Sequence, residues 1–239
     1  MARISTPHRR AVLFDAAGTL IDPREPIGDT YARIAEKYGA AISAWRLGDA
    51  FARVWLAAPA MVYPGLPADA SARRERDAWR AIVRQTFLAA DSAIRPADFD
   101  ACFEELFAHY ATGSAWVVRA GAHDALAALR AAGVATAVVS NFDRRLRGIL
   151  ADLELAPLLD LVWLPSDAGV AKPDPAIFTS ALRALGVRVE RAWVVGNDAE
   201  RDLDGARRAG LRPVDVGSLA TLADLPMLLE RELPEEPSR

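Results

Sequence analysis

Asp15 follows the apolar run Ala11-Val12-Leu13-Phe14 and leads into Ala16-Ala17-Gly18-Thr19. A carboxylate carried to a glycine turn by a buried strand can attack an electrophile, ligate a metal or cap a helix. Three further polar groups stand in comparable places. Ser140-Asn141 follow an apolar run, Asn197-Asp198 follow another, and Lys172 sits in Ala171-Lys172-Pro173-Asp174-Pro175. A serine hydroxyl can donate to an anionic oxygen. A lysine ammonium supplies a compact charge, unlike the flat arginine fork, and would screen Asp15 from an incoming anion. Lys172 and Lys37 are the only lysines in an arginine-rich chain, which points to a need for a point charge at Lys172. Asp198 and Asp202 crowd more carboxylates nearby, an arrangement that makes sense with a divalent cation among them.

These groups need strands to carry them. Ala11–Phe14, Val134–Val139, Leu161–Leu164, Ala192–Val195 and, more weakly, Pro213–Val216 are short, continuous and apolar. Such runs mark strands of a parallel sheet covered on both faces. Amphipathic helical patterns separate them. His123–Gly133 stops at its glycine; Asp174 caps a helix with Pro175 at its first position and Gly186 at its end; another helix stops at Gly210. The alternation predicts an α/β fold, a doubly wound parallel sheet. In such sheets ligands bind beyond the carboxyl ends of the strands, where all these polar groups fall.

From Ile27 to about Ser114 the strand signal vanishes and the patterns are helical, interrupted by the loop Tyr63–Ser71. We read an all-helical cap over residues 25–115 inserted into a core of residues 1–24 and 116–239, with Leu233–Arg239 as a frayed tail. The 239 residues are 52% hydrophobic and 26% charged, with net charge −3, which suits a large buried core and gives no electrostatic footprint for nucleic acid. The single cysteine, Cys102, has apolar neighbours at helical spacing and reads as core. With no long apolar span, the expectation is a cytoplasmic monomer or homodimer acting on a small molecule, without membrane partners.

The stretches FDAAGTL, VVSNFD, AKPDPAIF and VVGNDAERDLDGARRAG, in this order with a helical cap after the first, resemble the haloacid dehalogenase-like hydrolase superfamily over essentially the whole chain. The resemblance implies a Rossmann-like core and a covalent aspartyl intermediate formed by Asp15. It implies that Ser140 and Lys172 hold the transferring group; beside them Thr19 and Asn141 are read as substrate-binding residues that hydrogen-bond to the nucleophile loop. It also implies Mg2+ held among Asp15, the backbone carbonyl of Ala17, Asn197, Asp198 and Asp202.

Two residues depart from the pattern. Phosphatases of this superfamily usually carry an aspartate at the position of Ala17, which protonates the leaving oxygen and later activates water; alanine does neither. Asn197 stands where the pattern has an acid: either it serves as a neutral ligand, which would weaken Mg2+ binding, or Asp198 or Asp202 takes over. The leading reading is a Mg2+-dependent phosphatase that favours good leaving groups or takes a proton donor from its cap. The second is a metal-free 2-haloacid dehalogenase, whose halide needs no proton and for which Arg46 would receive the halide. The third is a non-catalytic binding protein. Trp45, Trp55 and Trp79 read as cap packing, Trp116 as packing at the hinge, Arg46 as a cap surface residue, and Tyr63 as a cap residue within possible reach of the site.

Overall fold

Ala11-Val12-Leu13-Phe14 form strand β1 (Ala11–Phe14), with every residue buried. In the computed structural model, which describes residues 10–231, β1 is the middle strand of a five-stranded sheet. The tail Leu233–Arg239 and residues 1–9 lie outside the described residues. The other strands of this sheet are β4 (Ala135–Val139), β5 (Leu161–Trp163), β6 (Ala192–Gly196) and β7 (Arg212–Asp215). Their order is β5-β4-β1-β6-β7 and every pairing is parallel. The chain moves outward on one side of β1 through β4 and β5, then crosses to β6 and β7. The strand order therefore reverses at β1, and a crevice opens at its carboxyl end.

The two sheet faces explain the continuous apolar strands. Val12, Phe14, Val138 and Val195 pack into one core with Leu126, Leu129, Ile149 and Leu150 from helices α5 (Ala122–Ala131) and α6 (Leu146–Asp152). Ala11, Leu13, Ala137 and Val194 face the other way, onto Ile177, Phe178, Ala181 and Leu182 of α8 (Pro175–Leu185). No strand residue in the middle of the sheet faces water, so no alternation is written into the sequence. The Asp174 side chain caps α8 by accepting from the Ala176 amide, and Gly186 ends it in the left-handed region, at φ 69°. Two short helices, α7 (Pro165–Ala168) and α9 (Gly205–Arg208), and a last helix, α10 (Leu225–Arg231), complete the core.

Four helices, α1 (Ile27–Lys37), α2 (Ala44–Ala57), α3 (Ala68–Ala90) and α4 (Phe99–His109), make up the inserted cap. They enclose their own core of Tyr31, Ile34, Leu47, Val83, Phe87, Phe103 and Leu106. Gly28 lets α1 cross close to α2, since a side-chain carbon there would fall 2.1 Å from the Ala44 carbonyl oxygen. The cap leaves and rejoins the core through a feature the sequence reading did not anticipate. Strands β2 (Ile21–Pro23) and β3 (Trp116–Val118) form a small antiparallel ribbon. Arg24 ties the two crossings together by donating to the carbonyls of Ser114 (2.9 Å) and Trp116 (3.0 Å).

Cys102 is fully buried in the cap core, and burial pushes its thiol up to about 12. A thiol with that surrounding is neither accessible nor ionised near neutrality. The native protein at pH 8 should therefore show no reaction with a thiol-specific chromogenic reagent, and one reactive thiol per chain after denaturation. Rapid labelling of the folded protein would contradict the packing described for α4.

Candidate active site

Asp15, Ser140 and Asn197 each stand one residue past a strand of the central sheet, after β1, β4 and β6. The register of the sheet alone therefore brings them to one rim. Asp15 is held there by its own amide, which donates to the Val195 carbonyl at 2.9 Å. Lys172 arrives from the loop before α8, and Asn141 fixes it. The Asn141 amide donates to the Lys172 carbonyl (2.8 Å) and accepts from the Lys172 N–H (2.7 Å).

The Lys172 ammonium lies between two carboxylates, 2.6 Å from Asp15 Oδ1 and 2.5 Å from Asp202 Oδ1. Lys172 is 5% exposed and Asp202 1%, so all this charge sits away from bulk water. Burial alone would lower the Lys172 pKa, but the two carboxylates outweigh it and leave the value raised. For Asp202, burial raises the pKa against the pull of the ammonium. Both of its oxygens nonetheless accept hydrogen bonds, as a carboxylate does: Oδ1 from Lys172, Oδ2 from the amides of Asn197 (3.2 Å) and Asp198 (3.1 Å). Asp15 Oδ2 has no partner among the described residues and belongs to the wall of the cleft.

The loops approach closely. Gly18 has φ +87°, and a side-chain carbon there would sit 2.6 Å from the Asn197 amide nitrogen. Gly196 is equally constrained, with Asp202 atoms 2.4 Å from where a Cβ would be. The Gly18 carbonyl also accepts from Arg119, which pairs with Asp22 at 3.4 Å and so links the turn to the β2–β3 ribbon.

Several expected residues take other places. Asp202, anticipated as a metal ligand, has both oxygens engaged by protein donors. Asp198 caps the π-helical turn Ala199–Asp204 through Oδ1, which accepts from Glu200 (3.0 Å) and Arg201 (2.8 Å), while Oδ2 lies 3.4 Å from Arg201 Nη1. Thr19, read as a substrate-binding residue that hydrogen-bonds to the nucleophile loop, is fully buried and donates to Asn197 Oδ1 at 3.3 Å, so it positions that amide. Asn141 spends its amide on the Lys172 backbone, a positioning role. Ser140 is buried, and its hydroxyl oxygen accepts weakly from the Phe142 amide (3.4 Å), leaving its proton free to donate into the cleft.

The cleft has a volume of about 250 Å3. Its floor is Asp15, Ser140, Lys172 and Asn197, and its cap side is aromatic: Phe51, Trp55, Trp79, Trp116 and Phe142. Trp55 and Trp79 were expected to be packing residues. They do stack on each other, with ring centroids 5.2 Å apart and planes 11° from parallel, but the stack is also a wall of the site. Trp45, by contrast, is 74% exposed and lies outside the cap core. Tyr63 donates to the Arg74 carbonyl (3.3 Å) and does not line the cleft. Arg46 pairs with Asp91 inside the cap at 2.9 Å and is also absent from the cleft lining. Arg201 does line it, a cation that stands inside the fourth motif stretch but was given no role at the site.

Removing the buried ammonium would leave two carboxylates facing each other. Lys172→Met is expected to cost about 3–5 kcal/mol of stability at neutral pH. Because the folded Lys172 pKa is raised, its contribution is complete below the unfolded value of about 10.4 and is lost as pH rises through the folded value. Urea unfolding of wild type and Lys172→Met should therefore show a gap that narrows as pH is raised above about 10.4. A gap independent of pH would contradict the buried three-group arrangement.

Comparison with known proteins places this architecture. A family model described as haloacid dehalogenase-like hydrolase matches residues 9–210. Haloacid dehalogenase-like hydrolase domain-containing protein 3 of Bos taurus is 35% identical over 205 residues, covering 84% of this chain and 79% of that protein. A phosphoserine phosphatase of Thermus thermophilus is 41% identical over 90 residues, covering 37% of this chain and 36% of its own length. Among solved structures, a phosphatase from Thermococcus onnurineus superposes with TM-score 0.62 at 23% identity, covering 92% of this chain and 97% of that one. The L-2-haloacid dehalogenase from Xanthobacter autotrophicus has TM-score 0.62 at 21% identity, with coverage of 95% and 85%. The fold is thus shared by phosphatases and dehalogenases, and the chain belongs to the haloacid dehalogenase-like hydrolase family.

Proposed function

We propose that this hydrolase is a phosphomonoesterase that uses Asp15 as its nucleophile. The observation that carries the reading is the state of the Asp15 carboxylate. One oxygen is fixed by a buried ammonium, and the other is unpartnered in a cleft whose floor also offers the Ser140 hydroxyl. Lys172 orients the carboxylate, and its remaining N–H, with the Ser140 hydroxyl, can donate to non-bridging phosphoryl oxygens. Asp15 Oδ2 attacks phosphorus in line, an O–P bond forms, and the bond to the leaving oxygen breaks with its electron pair on that oxygen. Water then attacks phosphorus and releases inorganic phosphate, restoring the carboxylate. Phosphatase relatives support this class of substrate over the dehalogenase alternative. The halide-receiving role weighed for Arg46 has lost its support, since that side chain is paired in the cap.

The residues fit a weakly held Mg2+. Among the described residues no cluster of three or more His, Cys, Asp or Glu side chains could hold a metal. The oxygens that remain for a cation are Asp15 Oδ2, the Ala17 carbonyl, which accepts no backbone hydrogen bond among the described residues, and Asn197 Oδ1, which also accepts from Thr19. One carboxylate and two neutral oxygens suit a cation that keeps several waters and completes its shell with substrate phosphate. When bound, Mg2+ would neutralise phosphoryl charge.

Ala17 sets the substrate range. No side chain at that position can protonate the leaving oxygen, and the cap residues lining the cleft, Ile27, Phe51, Trp55 and Trp79, include no acid, so the group departs as an anion. Phenols ionise near pKa 10 and alcohols nearer water's 15.7, so aryl and acyl phosphates are favoured over alkyl phosphates. The test is phosphate release from 4-nitrophenyl phosphate and acetyl phosphate, with Mg2+ or EDTA, in wild type and Asp15→Asn. Release that falls at least about 10³-fold in Asp15→Asn is expected for loss of the nucleophile. Release unchanged in that variant would exclude Asp15 chemistry. Ala17→Asp should raise turnover of an alkyl phosphate by about 10²-fold, within the range of general acid–base catalysis, and that of 4-nitrophenyl phosphate by less. Equal gains on both substrates would count against the leaving-group argument.

A further inference from the structure

We propose that the cap side of the cleft is a binding site for a single aromatic ring, so that the natural substrate is a monocyclic aryl phosphate bearing a small apolar substituent. This deepens the phosphomonoesterase reading and rests on it. Three independent observations converge. Ala17 demands a leaving group that departs unprotonated, and a phenolate does. Rings from four separate parts of the chain line the cleft together with the nucleophile: Phe51 and Trp55 of α2, Trp79 of α3, Trp116 of β3, and Phe142 just after β4. Beyond them lies an apolar recess of about 60 Å3, whose far wall includes Tyr31, Val83, Phe103 and Leu106 and which shares Ile27, Phe51, Trp79, Trp116 and Phe142 with the cleft.

Size selects the ligand. An apolar cavity of about 150 Å3 holds benzene. The cleft's volume of about 250 Å3 therefore admits one ring together with a phosphoryl group. The recess has room for a methyl or isopropyl group and exposes almost no polar surface, so an apolar substituent is favoured there. With phosphorus above Asp15, the ring would lie against the stacked Trp55 and Trp79 indoles in offset or edge geometry, and its para substituent would enter the recess.

The wall is held in place. The Trp79 indole N–H donates to the Asp143 carboxylate, which is buried beside Arg145, and the Arg145 guanidinium lies 5.1 Å from the Trp79 ring centroid. Arg144 pairs with Glu75 of α3 at 2.8 Å. The segment after β4 that carries Ser140 thus also fixes the helix that presents Trp79, and the ring site and the phosphoryl site share one support.

The experiment compares kcat/KM for 4-isopropylphenyl phosphate, phenyl phosphate and acetyl phosphate, with 4-isopropylphenol as inhibitor and as a ligand followed by tryptophan fluorescence. The same measurements are made on Val83→Trp, which fills the recess. The expected order is isopropylphenyl above phenyl by at least tenfold, and phenyl above acetyl although acetate is the better leaving group. The phenol should compete with substrate. Val83→Trp should lower kcat/KM for the isopropylphenyl ester at least tenfold more than for phenyl phosphate. Cleavage of acetyl phosphate with no preference for either aryl ester and no inhibition by the phenol would overturn the ring site and leave the phosphomonoesterase reading standing. If no phosphate ester is cleaved, that reading falls and fluorescence decides the ring site alone. Saturable phenol binding that is weakened by Val83→Trp sustains it, and absence of binding overturns it. Circular dichroism of Val83→Trp confirms that the substitution leaves the fold intact; if it does not, Val83→Phe replaces it.

Discussion

The contact on which this site depends is the Lys172 ammonium held between Asp15 and Asp202. It joins the loops that follow β1 and β6 to the loop that precedes α8, so three crossings of the sheet are locked by one charge. Taking an ammonium and two carboxylates out of water is costly, and the arrangement survives because almost every lone pair is used. Asp202 spends both oxygens on Lys172 and on two loop amides, and Asn141 spends its amide on the Lys172 backbone. Among the described residues, the one carboxylate oxygen of this network left without a partner is Asp15 Oδ2. The buried charge network thereby singles out a single reactive atom, and Ser140 and Asn197 acquire their positions relative to it from the strand register.

Ala17 and the aromatic wall belong to the same physical argument. A site without a proton donor transfers the burden of departure to the leaving group, and a leaving group stable as an anion is commonly a conjugated one. The cap answers with rings rather than with acids or amides. Its helices contribute Phe51, Trp55 and Trp79, and the β2–β3 ribbon contributes Trp116, so the residues that choose the substrate lie on an inserted unit and its hinge. The chemistry remains on the sheet. This division lets one core serve several reactions, and its solved structural counterparts include both phosphatases and dehalogenases.

Much of this was legible in the sequence because it is written in local terms. The five core strands run within one or two residues of their apolar segments, and Asp174, Pro175 and Gly186 bracket α8 as their backbone preferences require. The polar residues at strand exits announced themselves by following buried runs. The ribbon did not. Ile21–Pro23 and Trp116–Val118 are three residues each, one of them containing a proline, and neither is long enough to display a period. The roles of Thr19, Asn141 and Asp202 could not be separated from direct substrate or metal contact, since that depends on which donors meet which oxygens across distant loops. The aromatic wall was hidden for a different reason. A tryptophan facing a helical core and one facing a cleft have the same spacing along a helix, so Trp55 and Trp79 read as packing until the opposing surface was known.

The central claim is that Asp15 becomes phosphorylated and that, with alanine at position 17, nothing speeds the release of phosphate from it. Radiolabelled acetyl phosphate can be mixed with the enzyme in Mg2+ and quenched in acid during steady-state turnover. Wild type is expected to carry an acid-stable, hydroxylamine-labile label on the peptide containing Asp15, and Ala17→Asp is expected to carry less because water attack is then assisted. Turnover without protein-bound label, or label that persists in Asp15→Asn, would contradict it.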